Sequence, residues 1–397
     1  MKRMTNEEPS SCGKIRFGRS CAEYEGEDSE KGTGVKIAIV LGTRPEIIKM
    51  APIIRECQRR GTDYFILHTG QHYSYNMDKV FFRQLELPGA NYNLDVGSGN
   101  HGEQTGKMLV GIEKILLQEM PDIVLVEGDT NTVLAGALAA SKLHIKVGHV
   151  EAGLRSFDRS MPEETNRIVA DHVSEYLFAP TKNSKKLLLS EGIPDENIFV
   201  TGNTVVDTLI QNREISERKA NALKEFGLES GKYILVTAHR QENVDNPERF
   251  RGILDGISAV SKEFGLQAIY PIHPRSMKML ENFGLKSEGI KFIEPADYLS
   301  FLQLEANARL TMTDSGGVQE EACILKVPCV TLRDNTERPE TIDIGANLLA
   351  GTDPNKILSS SRAMLEKKRE WKNPFGDGKA GERIVDILQE ISGEINL

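Results

Sequence analysis

The chain has 397 residues, 39% hydrophobic and 27% charged, with 35 glycines and 6% aromatics. At about 100–200 residues per domain, this predicts two domains, and the glycine-rich, aromatic-poor profile suits an α/β protein with many strand-to-helix turns. The sequence has no G-X-Y period, no heptad array and no apolar run near the ~20 residues of a membrane span, and a net charge of −9 argues against a general nucleic-acid or membrane-surface binder.

Residues 1–34 are polar, charged and Gly/Ser-rich without a period. They bury too little apolar surface to offset ordering entropy, which predicts a disordered extension. No apolar segment follows Lys2 and Arg3, so a secretory signal is not expected. The cysteines, Cys12, Cys21, Cys57, Cys323 and Cys329, are odd in number and include no CxxC pair. Neither a disulfide framework nor a zinc site is predicted, and the expected compartment is cytoplasmic.

A first domain is predicted over residues 35–204. It opens on the β-rich run VKIAIVL at Val35 and continues with YFILHTG (from Tyr64), IVLVEGDT (from Ile123), KVGHVEAG (from Lys146), YLFAPT (from Tyr176) and IFVTGN (from Ile198). Helical stretches lie between most of these, among them Pro45–Arg60, Thr130–Lys142 and Pro162–Val173. After a charged stretch from about Gln211 to Lys232 comes a second domain, predicted over 205–379. Its runs begin at Tyr233, Gln267, Ile290, Ala308, Pro328 and Ala346. An amphipathic segment from about Ala380 to Ile391 closes the chain. Apolar runs separated by helices imply parallel sheets covered on both faces, so the expected fold is two Rossmann-like, doubly wound α/β domains facing a cleft. Ligands of open α/β sheets bind beyond the carboxyl ends of the strands, which places the site in that cleft.

Two nucleotide signatures are weak. Gly97–Gly102 matches GxGxxG but lies late in the first domain. Gly106-Lys107-Met108 lacks the hydroxyl residue and the glycine spacing of a P-loop. The first strand-to-helix turn is instead Gly42-Thr43-Arg44-Pro45-Glu46, where Arg44 beside a helix N-terminus suits a phosphate. The ordinary alternative is a helix start with a solvated arginine. Lys49, one turn further in, either adds charge or is simply exposed. Asp314-Ser315-Gly316-Gly317 ends a strand and opens a helix, a second phosphate cradle. Glu321, a turn inside that helix, can accept from two ribose hydroxyls or merely complement the helix dipole.

Asp129 and Glu151 stand at the carboxyl ends of buried strands, where a charge is more readily functional than on a helix face. Glu163, in a first helical turn, reads on spacing alone more readily as a dipole-matched surface acid paired with Arg167 at i+4. His239 closes the strand from Tyr233 and, with Arg240, could neutralise a leaving phosphate or be a satisfied structural histidine. His72, His149 and His273 lack metal-ligand spacing, so no metal is expected.

The ordered motifs GTRPE, EGDT, GHVEAGLRS, MPEETNR, TAHRQEN, TDSGGVQEEA and TERPE run across residues 42 to 340. With them the chain resembles the non-hydrolysing UDP-N-acetylglucosamine 2-epimerase family, over essentially everything after residue 34. The resemblance implies a GT-B-like fold, a homodimer, a terminal helix over about 380–397 joining the first domain, and cofactor-free interconversion of UDP-GlcNAc and UDP-ManNAc. It implies Asp129, Glu151, Glu163 and His239 as catalytic residues. Arg44, Lys49, Phe301, Ser315, Gly316, Gly317, Glu321 and Arg338 become UDP contacts, with Arg167 supporting the diphosphate region. Ala296 stands where some members carry Gln near the uracil. Gln71 and His72 match only part of the bacterial allosteric site, and Lys107 replaces an Arg there.

The C2 proton of the sugar is not acidic, because no carbonyl adjoins it. Expelling UDP from C1 first makes its loss feasible, giving 2-acetamidoglucal and UDP, which rejoin after protonation of the other C2 face. Arg44, His239 and the Ser315–Gly317 turn suit the departing diphosphate. Asp129, Glu151 and Glu163 suit the proton transfers, and crowding of carboxylates raises one pKa. A hydrolysing relative releasing ManNAc and UDP, a GT-B glycosyltransferase that needs an acceptor, and a non-enzymatic UDP-sugar sensor remain alternatives.

Overall fold

The computed structural model describes residues 34–71, 75–286 and 288–395. Apart from Gly34, the extension expected over 1–34 lies outside the described residues, as do His72, Cys12 and Cys21. Residues from Gly34 onward form one compact unit built on two parallel sheets.

The first sheet begins with β1 (Ile37–Leu41), α1 (Arg44–Arg60), β2 (Tyr64–His68), α2 (Tyr75–Gln84), β3 (Tyr92–Asn93) and α3 (His101–Glu119). It continues with β4 (Ile123–Glu127), α4 (Asn131–Lys142), β5 (Lys146–Val150), α5 (Pro162–Val173), β6 (Tyr176–Ala179), α6 (Lys182–Ser190) and β7 (Ile198–Val200). The strand order is β3-β2-β1-β4-β5-β6-β7. β1 and β4 are buried along their whole length, because helices cover both faces. Thr130 caps α4 by accepting from the Thr132 and Val133 N–H groups.

α7 (Thr204–Lys219) and α8 (Ala222–Phe226) lead to the second sheet, so the charged stretch from Gln211 is largely helical. There follow β8 (Tyr233–Thr237), α9 (Gln241–Val244), α10 (Pro247–Phe264), β9 (Gln267–Pro271), α11 (Pro274–Asn282), β10 (Ile290–Ile293) and α12 (Tyr298–Ala306). β11 (Leu310–Thr313), α13 (Gly316–Ile324), β12 (Cys329–Thr331), α14 (Pro339–Asp343), β13 (Asn347–Leu349), α15 (Pro354–Glu366) and α16 (Ala380–Ile395) complete the chain. The strand order is β10-β9-β8-β11-β12-β13. Among the described residues no helix is long and apolar enough to cross a membrane.

Both sheets reverse direction of winding beside their first strand, between β1 and β4 and between β8 and β11. These two switch points are where doubly wound sheets open a crevice. The Gly97–Gly102 segment does follow a strand and open a helix, but β3 is a two-residue edge strand, away from the switch point.

α7 packs against both α1 and α12, tying the sheets together. The Thr208 hydroxyl donates to the Ile48 carbonyl (2.9 Å) and the Ser216 hydroxyl to the Leu299 carbonyl (2.8 Å). The two crossing segments meet where Asn203 N–H donates to the Phe375 carbonyl (2.7 Å). Gly202, at φ +90°, lies so close that a Cβ there would sit 3.2 Å from that carbonyl oxygen. α16 returns to the first sheet, with Ile384, Val385 and Leu388 buried beside Ile37, Ile47 and Ile54. Ile384→Ala is expected to lower the unfolding free energy by about 2–5 kcal/mol in urea titrations, through lost burial and an uncollapsed cavity; a cost below about 1 kcal/mol would show this packing to be dispensable.

Candidate active site

The first switch point brings three polar elements together. α1 starts with Arg44, followed by Pro45, so the expected positions of these residues at a helix start hold to within one residue. The Arg44 guanidinium carbon lies 5.7 Å from the centre of the Phe81 ring. Glu46, buried in the same turn, accepts from the Gly42 N–H (2.5 Å), the Thr43 N–H (2.9 Å) and the Thr130 hydroxyl. Burial outweighs these donors and pushes Glu46 up to about 7.

Further along α1, Lys49 is neither solvated nor open. Its Nζ lies 2.6 Å from Glu151 Oε2 and 3.2 Å from Glu127 Oε1. Glu151 follows the last residue of β5 in a left-handed conformation, φ +69°. Its other oxygen accepts from Asn203 Nδ2 (3.1 Å) and Arg338 Nη2 (3.4 Å). Arg338 belongs to the second half of the chain and also pairs with Glu320 through Nε (3.0 Å). Asn203 bridges Glu151 and Glu320 with the same amide, at 3.1 and 3.0 Å. The buried cluster therefore holds two cations and three carboxyls drawn from both halves.

Its protons divide unequally. Burial works against the charge on Glu151, but Lys49 and Arg338 overcome it and hold that carboxylate well below the usual range. Burial, with the charge on Glu151, pushes Glu127 far up against the pull of Lys49. Burial likewise raises Glu320 to about 7, opposed by Arg338. Glu151, ionised, lies between Lys49 and Arg338, and Arg338 also feels the charge of the buried Glu337 carboxylate.

Asp129 lies two residues past β4 and is clamped by Arg167, whose Nε and Nη2 are 3.0 and 2.6 Å from Oδ2. The other end of Arg167 holds Glu164 Oε2 (2.6 Å). The i+4 pairing of Arg167 with Glu163 is thus corrected: the partner on the helix is Glu164, because residues three apart share the inward face. Glu164 also accepts from the Ser156 and Phe157 N–H groups (3.0 and 2.9 Å). Glu163 stands half-buried in the first turn of α5.

At the second switch point, the Asp314 carboxylate fixes the loop after β8. It accepts from the His239 and Arg240 N–H groups (both 3.0 Å to Oδ2) and from Asn243 Nδ2 (3.1 Å). The His239 side chain, 56% exposed, has Nδ1 3.2 Å from Asp314 Oδ1. A cleft of about 360 Å³ here is lined by Thr237, His239, Pro271, His273, Ala296 and Phe301. Thus His239 and Phe301 share one cavity. Ser315 precedes α13, which begins at Gly316. A Cβ on Gly316 would meet Glu337 Oε1 at 2.1 Å, so a side chain there requires Glu337 to move. Glu321 lies beside the buried carboxyl of Glu305, and burial pushes it up to about 7.

The structure joins Lys49, Glu151 and Arg338 in one network, and Asp129 to Arg167. Sequence reasoning missed Glu127, Glu164, Asn203 and Glu320. Glu127 was within reach of the strand-end argument, being the last residue of β4. Among the described residues, no group of three or more His, Cys, Asp or Glu could hold a metal ion.

Comparison with known proteins identifies this arrangement's relatives. The UDP-N-acetylglucosamine 2-epimerase family model matches residues 55–389. The UDP-N-acetylglucosamine 2-epimerase of Methanocaldococcus jannaschii is 59% identical over 361 residues, 89% of this chain and 99% of that one. Its crystal structure with UDP-GlcNAc and UDP superposes with a TM-score of 0.83, covering 89% of this chain and 99% of that chain. The Neisseria meningitidis UDP-GlcNAc 2-epimerase bound to UDP-GlcNAc, 36% identical, gives 0.82 over 89% of this chain and 100% of that chain. The UDP-2,3-diacetamido-2,3-dideoxy-D-glucuronate 2-epimerase of Pseudomonas aeruginosa is 40% identical over 359 residues, 90% of this chain and all of that one.

A pH dependence of stability follows from Glu46. Burial pushes it up to about 7, above the ordinary carboxyl value near 4.5, so the folded state binds the proton more tightly. Stability then falls as pH rises from the lower value through the higher one. Glu46→Gln should flatten that fall by on the order of 1–3 kcal/mol in urea titrations at about pH 5 and about pH 7.5; parallel profiles for the two proteins would exclude Glu46 as the cause.

Proposed function

The chain belongs to the UDP-N-acetylglucosamine 2-epimerase family, and we propose that it epimerises UDP-GlcNAc at C2 by eliminating UDP and adding it back. One observation carries the reading: a carboxylate held ionised, Glu151, beside a carboxyl held protonated, Glu127, with cations from both halves around them. Neighbouring groups whose protonation is pushed apart are the mark of acid/base work at one centre.

Elimination breaks the C1–O bond, and UDP leaves with the electron pair. Arg44, Lys49, Arg338 and the Ser315–Gly317 turn stabilise the diphosphate, Arg167 supports it by orienting Asp129, and His239 meets it from the second half. Phe301 and Glu321 take the nucleoside. A carboxylate accepts the C2 proton, which leaves 2-acetamidoglucal. Protonation of the opposite face with return of UDP to C1 gives UDP-ManNAc, and atoms balance without an oxidant. Asp129, Glu151 and Glu163 are the candidate bases and acids, and Glu127 joins them. Lys49 and Arg338 serve both the diphosphate and Glu151, so arrival of the anion weakens their hold on the carboxylate and raises its basicity. Closure of the two halves retains glycal and UDP until they rejoin. The expected assembly is a homodimer, and the exposed Val110, Leu117 and Met120 along α3 are apolar surface suited to a second copy.

Turnover of UDP-GlcNAc alone in D₂O should place deuterium at C2 of both sugars, with UDP far below stoichiometric. An unlabelled pool with active enzyme excludes elimination, stoichiometric UDP points to hydrolysis, and a need for an acceptor points to a transferase. Glu151→Gln is expected to lower kcat by about 10²-fold or more while UDP affinity, followed by calorimetry, changes only a few-fold. Loss of UDP binding instead would move Glu151 from chemistry to binding.

A further inference from the structure

β5 carries the polar side chain of His149, and Glu151 stands just past its end. His149 is 1% exposed. Its Nδ1 lies 2.6 Å from Asp171 Oδ1 on α5, and its Nε2 lies 2.8 Å from the carbonyl oxygen of Gly128. A carbonyl only accepts, so Nε2 carries a hydrogen. Asp171 uses its second oxygen to accept from the Gly153 N–H (3.2 Å) and to pair with Arg155 Nη2 (2.7 Å). Those donors keep it an anion, and the hydrogen on the 2.6 Å contact then belongs to Nδ1. His149 is an imidazolium donating from both nitrogens. Burial opposes that charge, but Asp171 and the Gly128 carbonyl outweigh it, with Arg155 acting weakly the other way, and the ring is raised above its ordinary pKa. Arg155 is itself anchored by Glu191 (2.6 Å).

The carbonyl it holds lies between two carboxyl-bearing residues. Gly128 separates Glu127 from Asp129 and sits at φ +86°. Its N–H donates to the Val150 carbonyl (3.2 Å), so the peptides on both sides of it are pinned to β5. A Cβ added to Gly128 would lie 3.8 Å from Glu151 Oε2, which puts this turn in van der Waals reach of the ionised carboxylate. Strand pairing ends at Glu127 and Val150; beyond that point the His149 bond acts with the Gly128 N–H bond, the Asn166 amide donating to the Asp129 carbonyl (2.9 Å) and the arginine clamp on Asp129 to place these carboxyls.

We propose that His149, charged and braced by Asp171, is a positioning residue for the epimerisation, fixing the Gly128 peptide and through it the placement of Glu127 and Asp129 against Glu151. This rests on the reading that those carboxyls move the C2 proton. A histidine serving stability alone would lower the melting temperature in proportion to lost hydrogen bonds and leave the chemistry of the folded fraction intact.

Two shortened side chains separate these roles. Asn at 149 reproduces the Nδ1 donor to Asp171 and abandons Gly128; Gln reaches Gly128 and abandons Asp171. His149→Asn should lower kcat by about 30- to 100-fold with KM for UDP-GlcNAc and UDP affinity within about threefold, as expected for a misplaced acid/base pair. His149→Gln should keep kcat within about fivefold of wild type although it melts as low as the Asn variant. Equal kcat in both variants per folded molecule, or a change in KM alone, overturns the proposal. Should neither variant fold, ¹⁵N resonances of the wild-type ring settle it: both nitrogens should be protonated at neutral pH, and an unprotonated Nδ1 there overturns the proposal. Wild type inactive on UDP-GlcNAc would remove the epimerase reading and leave the ring's charge state standing as measured.

Discussion

Glu151 is the residue on which the rest of the site depends. One of its oxygens meets Lys49 from α1 and the other meets Arg338 and Asn203, so a single carboxylate is bound from both sheets. Buried ion pairs are weak sources of stability, because desolvation offsets much of the attraction, but breaking one costs about 3–5 kcal/mol by stranding a charge. Here the cations losing that partner would be two, Lys49 and Arg338. An arrangement so costly to disturb and so little rewarded in stability fits a site kept for chemistry. It also fits a site waiting for an anion, since the same cations can turn from the carboxylate to a diphosphate.

The two sheets present equivalent features at their switch points. In the first, the Gly42 turn and the ends of β4 and β5 supply carboxyls and cations. In the second, the Asp314–Gly317 turn and the loop after β8 supply a helix start and a histidine. Asp314 gives the second its rigidity: a buried carboxylate, held below its usual range by His239 and neighbouring donors against the pull of burial, gathers four contacts and fixes where His239 stands. His149 and Asp171 do comparable work on the first side. Both are cases of a buried, bonded charge holding a stretch of backbone at a switch point.

The sheet strands were legible because parallel strands covered on both faces must be nearly all apolar, and such runs stand out. The region between Thr69 and Asp122 was not: β3 is two residues long, and the apolar positions of α3 are interrupted by Gly and charged residues. The stretch from Gln211 looked like a linker because α7 buries polar groups, Thr208, Asn212 and Ser216, against backbone and side chains of two other helices. In the site, the strand-end rule found Glu151 and Asp129 but passed over Glu127, which composition alone cannot distinguish from a strand residue. The adjacent pairs Glu163 and Glu164, and Glu320 and Glu321, defeat sequence reasoning for a geometric reason. Neighbours on a helix point about 100° apart, and only the docked face decides which enters the cluster. The structure turns Glu164 and Glu320 inward.

The unequal protons of the cluster also bound the conditions in which it holds together. Glu151 and Asp171 have folded pKa values below their unfolded ones, so their contribution is present above the unfolded value and lost as pH falls through the folded one. Glu127 and Glu320 are shifted the other way, so the folded state loses support as pH rises from the ordinary carboxyl range toward neutrality and beyond. The unliganded cluster is therefore most stable in mildly acidic solution, with Glu127 and Glu320 still protonated. A bound diphosphate changes this balance. Its negative charge beside Lys49 and Arg338 would favour the protons on Glu127 and Glu320 still more and would raise the basicity of Glu151. On the proposed reaction, ligand binding and proton uptake would then be one coupled event.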